Sequence, residues 1–488
     1  MAAARPVRGA HAPPHHLEMK DGMDVDTIVA QATPPGLGGL AVVRLSGPNA
    51  LRVLTELTPG GTAPREPRRV ELRHIFDPVD GTLIDRALVT FFAGPSSYTG
   101  EDVVEISCHG GWITPRLVVE ACVRSGAREA EAGEFTRRAH LRGKLDLVQA
   151  EAVADLIEAR SGALRDAAVH QLERGLSERV SALRERLLRV EALLAHHVDF
   201  PEEDDAPVSM DAVLAEADTL AVDMATMLRT APEGELLREG ALTVFAGRPN
   251  VGKSSLFNAL VGAERAIVTE EAGTTRDALE AAVQIGGFPF RLVDTAGMRR
   301  PAGRVEELGI EFARRYLERA DLVLYCVEAG TALDGEERQF LEECAAPVVV
   351  LETKCDTLEG GETRADQAKG ADAPSAGSSS PVAERLRLSV ETGEGLGELR
   401  DMLPSLVYSA VVQSDPGTPV LTRRRHARAL ESAASEIVGF REAIEEGLPA
   451  EVAATHLRSA EMALEELLGV VTTDDVLDVV FREFCIGK

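Results

Sequence analysis

Lys253 and Ser254 are the residues around which chemistry can be built. They close the run Gly247-Arg248-Pro249-Asn250-Val251-Gly252-Lys253-Ser254, which fits Gly-x-x-x-x-Gly-Lys-Ser behind the apolar stretch Val244-Phe245-Ala246. A loop of this spacing wraps a phosphate chain in backbone N–H groups at the start of a helix. Asn250, Val251, Gly252, Lys253, Ser254 and Ser255 then contact a nucleotide, with Lys253 on the outer phosphates and the Ser254 hydroxyl on Mg²⁺. A glycine-rich turn can match this pattern by chance, so the reading depends on whether partner motifs stand further along the chain.

They do, and in the right order. Thr269, Glu271, Thr274 and Thr275 lie in a polar loop whose threonines can complete a Mg²⁺ shell and sense a γ-phosphate. The strand Phe290–Val293 delivers Asp294-Thr295-Ala296-Gly297, in which Asp294 holds the metal through water and the Gly297 N–H meets the γ-phosphate. A further apolar strand presents Thr353-Lys354-Cys355-Asp356. The Asp356 carboxylate can accept from guanine N1 and the 2-amino group, a pair adenine lacks, so GTP is favoured over ATP. Lys354 can lie across the ring. Asn is commoner where Thr353 stands, but the Thr353 hydroxyl can still tether the phosphate loop. Leu388-Ser389-Val390 reads as the last base-side loop.

Hydrolysis needs an oriented water. Met298, directly after Gly297, cannot orient one, which leaves Arg299, Arg300, Glu306 and Glu307 as candidates. Asn250 faces the phosphates. Its carbonyl either holds a monovalent cation between the β and γ groups or only stabilises the loop.

Around these residues the chain divides by pattern. Apolar residues at 172, 176, 180, 183, 187, 190 and 194 mark a long amphipathic helix. Helices are expected near Leu145–Ala159 and Met210–Leu228, and helical pattern returns at 423–441 and 451–468. A last helix starts near Thr472-Thr473-Asp474-Asp475. The expected fold is multidomain α/β plus all-α. A P-loop domain (240–408) is inserted into a helical domain (144–239 and 409–488), with tandem domains as the alternative. An α/β domain (25–143) precedes them. Its strand Leu40–Ser46 carries Arg44, which on a buried side needs an anionic partner. A Cys108–His109 dyad is disfavoured because neighbouring strand residues point to opposite faces. Residues 1–24 and 359–381 read as disordered extension and insert.

Composition narrows the class. With 80 acidic against 52 basic residues, net −28, the chain is unsuited to broad nucleic-acid binding by itself. Six scattered cysteines show neither a disulfide framework nor zinc spacing, which points to a reducing, cytoplasmic setting. No run of 18 apolar residues suggests a membrane span.

The chain resembles the MnmE (TrmE) family of tRNA-modification GTPases over about residues 25 to 488. The stretches that carry the resemblance are Asp26 to Gly36, Ser97-Tyr98-Thr99-Gly100-Glu101-Asp102, Gly133-Glu134-Phe135-Thr136-Arg137-Arg138-Ala139, Gly143-Lys144-Leu145-Asp146-Leu147, and the tail Phe484-Cys485-Ile486-Gly487-Lys488. The resemblance implies a homodimer formed through a folate-binding-like N-terminal domain. That domain would take 5-formyl- or 5,10-methylene-tetrahydrofolate, with Arg44, Glu101, Lys144 and Lys488 as contacts and Cys485 as a candidate nucleophile. It implies K⁺ at Asn250, Thr269, Glu271 and Thr274, Mg²⁺ at Ser254 and Thr275, and Glu306 positioning water. It implies an MnmG-type FAD/NADH partner in a heterotetramer that acts on tRNA, placing aminomethyl or carboxymethylaminomethyl groups on C5 of the wobble uridine. Thr353 and Arg142 depart from the family's usual Asn residues. The rival readings are a ribosome-assembly GTPase and a non-catalytic, GTP-controlled scaffold.

Overall fold

The computed structural model describes residues 26–60, 64, 66–199, 209–263, 280–294, 314–357, 382–413, 419–471, 474–482 and 484–487. The chain forms two compact units, one of residues 1–145 with 473–488 and one of residues 146–472. None of the helices among the described residues is long and apolar enough to cross a membrane.

The first unit is built on a six-stranded sheet of β1 (Ile28–Gln31), β2 (Leu40–Ser46), β3 (Val70–Phe76), β4 (Leu83–Phe92), β5 (Val103–His109) and β6 (Arg128–Glu129), in the order β3-β4-β5-β2-β1-β6. Its pairs are antiparallel except β1 with β6. Strand alternation sends Val43 and Leu45 into a core shared with the helices Ala50–Leu57 and Thr114–Arg124. Each such buried aliphatic side chain contributes about 1.5–3 kcal/mol. Arg44 points to the other face and meets its cross-strand neighbour Glu105 at 2.8 Å, which supplies the anion its position requires. Cys108 is buried and His109 exposed, as alternation dictates.

The last helix, Asp474–Arg482, packs with the helix Glu134–Leu141 of the same unit. Ile486 bridges to Ala132, and a Cβ on Gly487 would lie 2.4 Å from the Gln31 carbonyl oxygen. The described residues 474–482 and 484–487 therefore group with the N-terminal unit.

In the second unit, helices from both ends of the segment share one apolar core. Leu183, Leu187 and Val190 of Gly175–Asp199 pack with Leu430 and Phe440 of Arg424–Glu445 and with Leu457 and Leu464 of Ala450–Leu468. The amphipathic seam expected from 172 is not one helix. Leu172 ends the helix Gly162–Leu172, and the chain turns through Arg174 at φ 72° before Gly175. The helix Leu147–Glu158 begins with a capping box between Asp146 and Gln149. Its inner face carries Glu151 and Asp155, both buried. Glu151 accepts from Arg425 (2.8 Å) and contacts His426 (2.6 Å), while Asp155 accepts from Arg423 (2.7 Å). Burial pushes the Glu151 carboxyl up, but His426 and Arg425 outweigh it and hold it well below the usual carboxylate range.

Between these helices lies a second sheet of β7 (Ala241–Ala246), β8 (Glu280–Ile285), β9 (Phe288–Asp294), β10 (Leu322–Glu328), β11 (Val348–Thr353) and β12 (Val382–Arg387), ordered β12-β11-β10-β7-β9-β8. Only β8 runs antiparallel to its neighbour. Every residue of β7 is buried, as a central parallel strand covered on both faces requires.

Candidate functional site

Parallel strands place their C-terminal ends along one edge, and the polar motifs sit there. β7 ends at Ala246, and the chain turns through Gly247 at φ 122°, where a Cβ would stand 2.2 Å from the Cys326 carbonyl oxygen. Only glycine fits that turn. Asn250 is also left-handed at φ 62°, a conformation asparagine tolerates better than most residues. The helix Lys253–Ala263 then starts.

The Lys253 side chain is folded into this loop. Its Nζ donates to the carbonyls of Gly247 (2.8 Å) and Arg248 (2.6 Å), and the residue is 5% exposed. The register of β7 with β9 sets Phe245 opposite Asp294 and so brings the end of β9 beside the loop. The Ser254 hydroxyl donates to the Asp294 carboxylate at 2.5 Å. Two hard oxygen donors thus meet beside a phosphate-shaped loop, a donor set that fits Mg²⁺ and would leave several of its positions to water and phosphate.

The base-side loop leaves β11. Thr353 is buried, and its hydroxyl stands 2.5 Å from the Val251 carbonyl and 3.0 Å from that of Val327. It ties the phosphate loop to the base loop. Lys354 is left-handed at φ 56° and its ammonium lies 3.3 Å from Glu328. Cys355 and Asp356 lie in a single 3₁₀ turn, and the Cys355 N–H donates to the Leu388 carbonyl at 3.4 Å. Burial and the neighbouring Glu394 carboxylate push the Cys355 thiol up. Asp356 is exposed at the loop's tip and Ser389 is buried beside the turn.

In the first unit, the loop between β4 and β5 holds Glu101. Both of its oxygens are engaged: Ser46 donates to Oε2 at 2.6 Å, Arg142 donates to Oε1 at 3.0 Å, and Arg138 lies 3.3 Å from each. Arg142, the departure read from sequence, is thus bound to a residue expected to contact ligand. Lys144 is exposed and donates to the Pro95 carbonyl at 3.0 Å. The Arg44 guanidinium lies 5.4 Å from the Tyr98 ring centre and 5.8 Å from that of Phe135. A carboxylate, aromatic rings and cations are the donor set a pterin bearing a carboxylate tail needs. Any such contact with Glu101 must share it with its present donors. Cys485 is exposed, and its carbonyl lies 3.5 Å from the Gly133 N–H.

Of the expected nucleotide and metal residues, the structure brings together Asn250, Val251, Gly252, Lys253, Ser254, Ser255, Asp294, Thr353, Lys354, Cys355 and Asp356. Thr269, Glu271, Thr274, Thr275, Thr295, Ala296, Gly297, Arg299, Arg300, Glu306, Glu307 and Lys488 lie outside the described residues, as do the segments 1–24 and 359–381. Sequence reasoning missed Arg138, which also meets Asp26 (2.7 Å) and Glu134 (2.8 Å). Its signals in the sequence were the helical i,i+4 spacing from Glu134 and its place in the stretch Gly133–Ala139.

Comparison with known proteins matches residues 147–485 to the MnmE helical domain and residues 27–144 to the N-terminus of the GTP-binding protein TrmE. The tRNA modification GTPase MnmE of Moorella thermoacetica is 40% identical over 469 residues, covering 95% of this chain and 99% of its own. That of Heliobacterium modesticaldum is 40% identical over 476 residues with the same coverage. That of Akkermansia muciniphila is 40% identical over 464 residues, covering 95% and 99%.

Proposed function

This chain belongs to the MnmE family of tRNA-modification GTPases and hydrolyses GTP, and on that premise we propose that hydrolysis is K⁺-dependent and serves modification of the wobble uridine. The observation that carries the nucleotide chemistry is the 2.5 Å contact between Ser254 and Asp294, which joins two motifs 40 residues apart.

GTP enters with its phosphates against the backbone N–H groups of the 247–254 loop. Lys253 exchanges the Gly247 and Arg248 carbonyls for β- and γ-phosphate oxygens. Ser254, with Thr275, would hold Mg²⁺, and Asp294, which accepts from the Ser254 hydroxyl, would support the ion. Mg²⁺, when bound, supplies charge to the β- and γ-oxygens. Asn250, Thr269, Glu271 and Thr274 are the residues assigned to K⁺, which adds positive charge where negative charge grows in the transition state. Glu306 is assigned to the attacking water, and Thr295, Ala296 and Gly297 to the γ-phosphate. Asp356 selects guanine and Lys354 covers the base.

In the first unit, Arg44, Glu101, Lys144 and Lys488 are assigned to a 5-formyl- or 5,10-methylene-tetrahydrofolate, and Cys485 to its one-carbon chemistry. A homodimer working with an MnmG-type FAD enzyme, in the cytoplasm, would place aminomethyl or carboxymethylaminomethyl groups on C5 of uridine 34. What supports this reading is similarity along 95% of the chain to proteins named for tRNA modification. Nucleoside analysis of tRNA from cells lacking the gene tests it. Loss of the C5-modified wobble uridine, restored by the intact gene, is expected. Unchanged modification overturns the assignment.

A further inference from the structure

Arg248 lies inside the phosphate loop, yet its side chain turns away from the phosphate position. The guanidinium pairs with the carboxylate of Asp334 through Nη2 and with that of Glu337 through Nε, the latter at 3.0 Å. Those carboxylates are fixed already. Asp334 caps the helix Gly335–Glu343 by accepting from the Glu337 N–H at 2.8 Å, and Glu337 accepts from the Asp334 N–H at 3.0 Å. Glu337 is 8% exposed, and Tyr325 of β10 also donates to it. One arginine therefore bridges two anions held by a reciprocal cap and a buried tyrosine.

We infer that Arg248 is a positioning residue for nucleotide binding: its side chain fastens the phosphate loop to the start of the helix 335–343 so that the loop is already shaped for phosphate. Two features support this. The main chain here is costly to order, with left-handed turns at Gly247 (φ 122°) and Asn250 (φ 62°) on either side of the anchor. The Arg248 carbonyl itself accepts from Lys253 at 2.6 Å, so the loop also holds the phosphate-binding amine within it. With both carboxylates engaged, the guanidinium acts through loop shape and not as a phosphate ligand. Loop shape is common to bound GTP, GDP and the transition state, so its loss weakens all three alike.

The test uses the full chain and measures GTP turnover together with release of a fluorescent GDP analogue. R248A is expected to raise KM and the release rate about fivefold while kcat stays within about twofold, the pattern of lost uniform binding. R248K is expected to recover part of the loss, since an ammonium can meet the carboxylates but not bridge them in the same fork. E337A is expected to weaken binding similarly, and the double variant R248A/E337A to be no worse than R248A alone. Wild-type KM and release in R248A, a fall in kcat at unchanged KM, or additive effects in the double variant each overturn the inference. It rests on GTP hydrolysis at this loop, and turnover retained at saturating GTP keeps the two failures distinct.

Discussion

The hydroxyl of Thr353 stands 2.5 Å from the carbonyl oxygen of Val251, joining the base loop to the phosphate loop where the family more often uses asparagine. The contact is buried, so breaking it leaves carbonyls without their donor. T353V is expected to cost about 1–2 kcal/mol, which corresponds to roughly tenfold faster release of a fluorescent GDP analogue. T353N is expected to release at close to the wild-type rate. Stopped-flow release would detect either, and unaltered release in T353V would show that the tether does not support binding.

Asp356 is placed at the tip of its turn by Cys355, whose N–H donates to the Leu388 carbonyl at 3.4 Å. Replacing the carboxylate with an amide exchanges an acceptor for a donor. D356N is expected to lose about 100-fold or more in affinity for GTP and to gain affinity for XTP, which carries a carbonyl where guanine carries the 2-amino group. Competition binding with both nucleotides checks this. GTP preference retained in D356N would remove Asp356 from base selection.

Ser254 and Asp294 share one hydrogen bond where the metal is assigned. S254A is expected to lower GTP turnover about 100-fold and to raise the Mg²⁺ concentration needed for half-maximal rate. A Mg²⁺ titration of turnover measures both. An unchanged Mg²⁺ requirement would place the metal elsewhere.

Glu151 is buried against Arg425 and His426. E151Q leaves the Arg425 guanidinium facing an amide and is expected to destabilise the helical core by about 3–5 kcal/mol, read by urea denaturation. The Glu151 pKa is depressed in the folded state. Its contribution is therefore present above the unfolded value of about 4.3 and is lost as pH falls through the folded value. The part of the stability gap between wild type and E151Q that Glu151's own ionisation supplies should shrink below about pH 4 as the carboxylate takes up its proton. A gap that widens below about pH 4 would contradict the assigned direction.

The nucleotide half was legible because its spacing is geometry. Gly247, Gly252, Lys253 and Ser254 are fixed by the loop they form, and Asp294 and Thr353 by the ends of their strands. Arg44 announced its need for an anion but not that Glu105 would meet it, since that depends on the β2–β5 register. The buried polar groups at Glu151, Asp155, Arg423 and His426 were illegible. Their partners lie about 270 positions apart, and helical periodicity reads them as a polar face. Arg248 was hidden for a similar reason, because its anchors arrive from a helix beyond β10. The turn at Arg174 broke a seam whose apolar spacing continued across it, so periodicity alone could not show the break.

The central claim is that the phosphate loop completes its charge with an alkali ion beside Asn250. Steady-state GTP turnover in equal concentrations of KCl and NaCl tests it most directly, on the wild type and on N250A. The wild type is expected to turn over about tenfold or more faster in K⁺, and N250A to show no difference between the salts. Equal rates in the two salts for the wild type, or a K⁺ advantage that persists in N250A, would contradict the account.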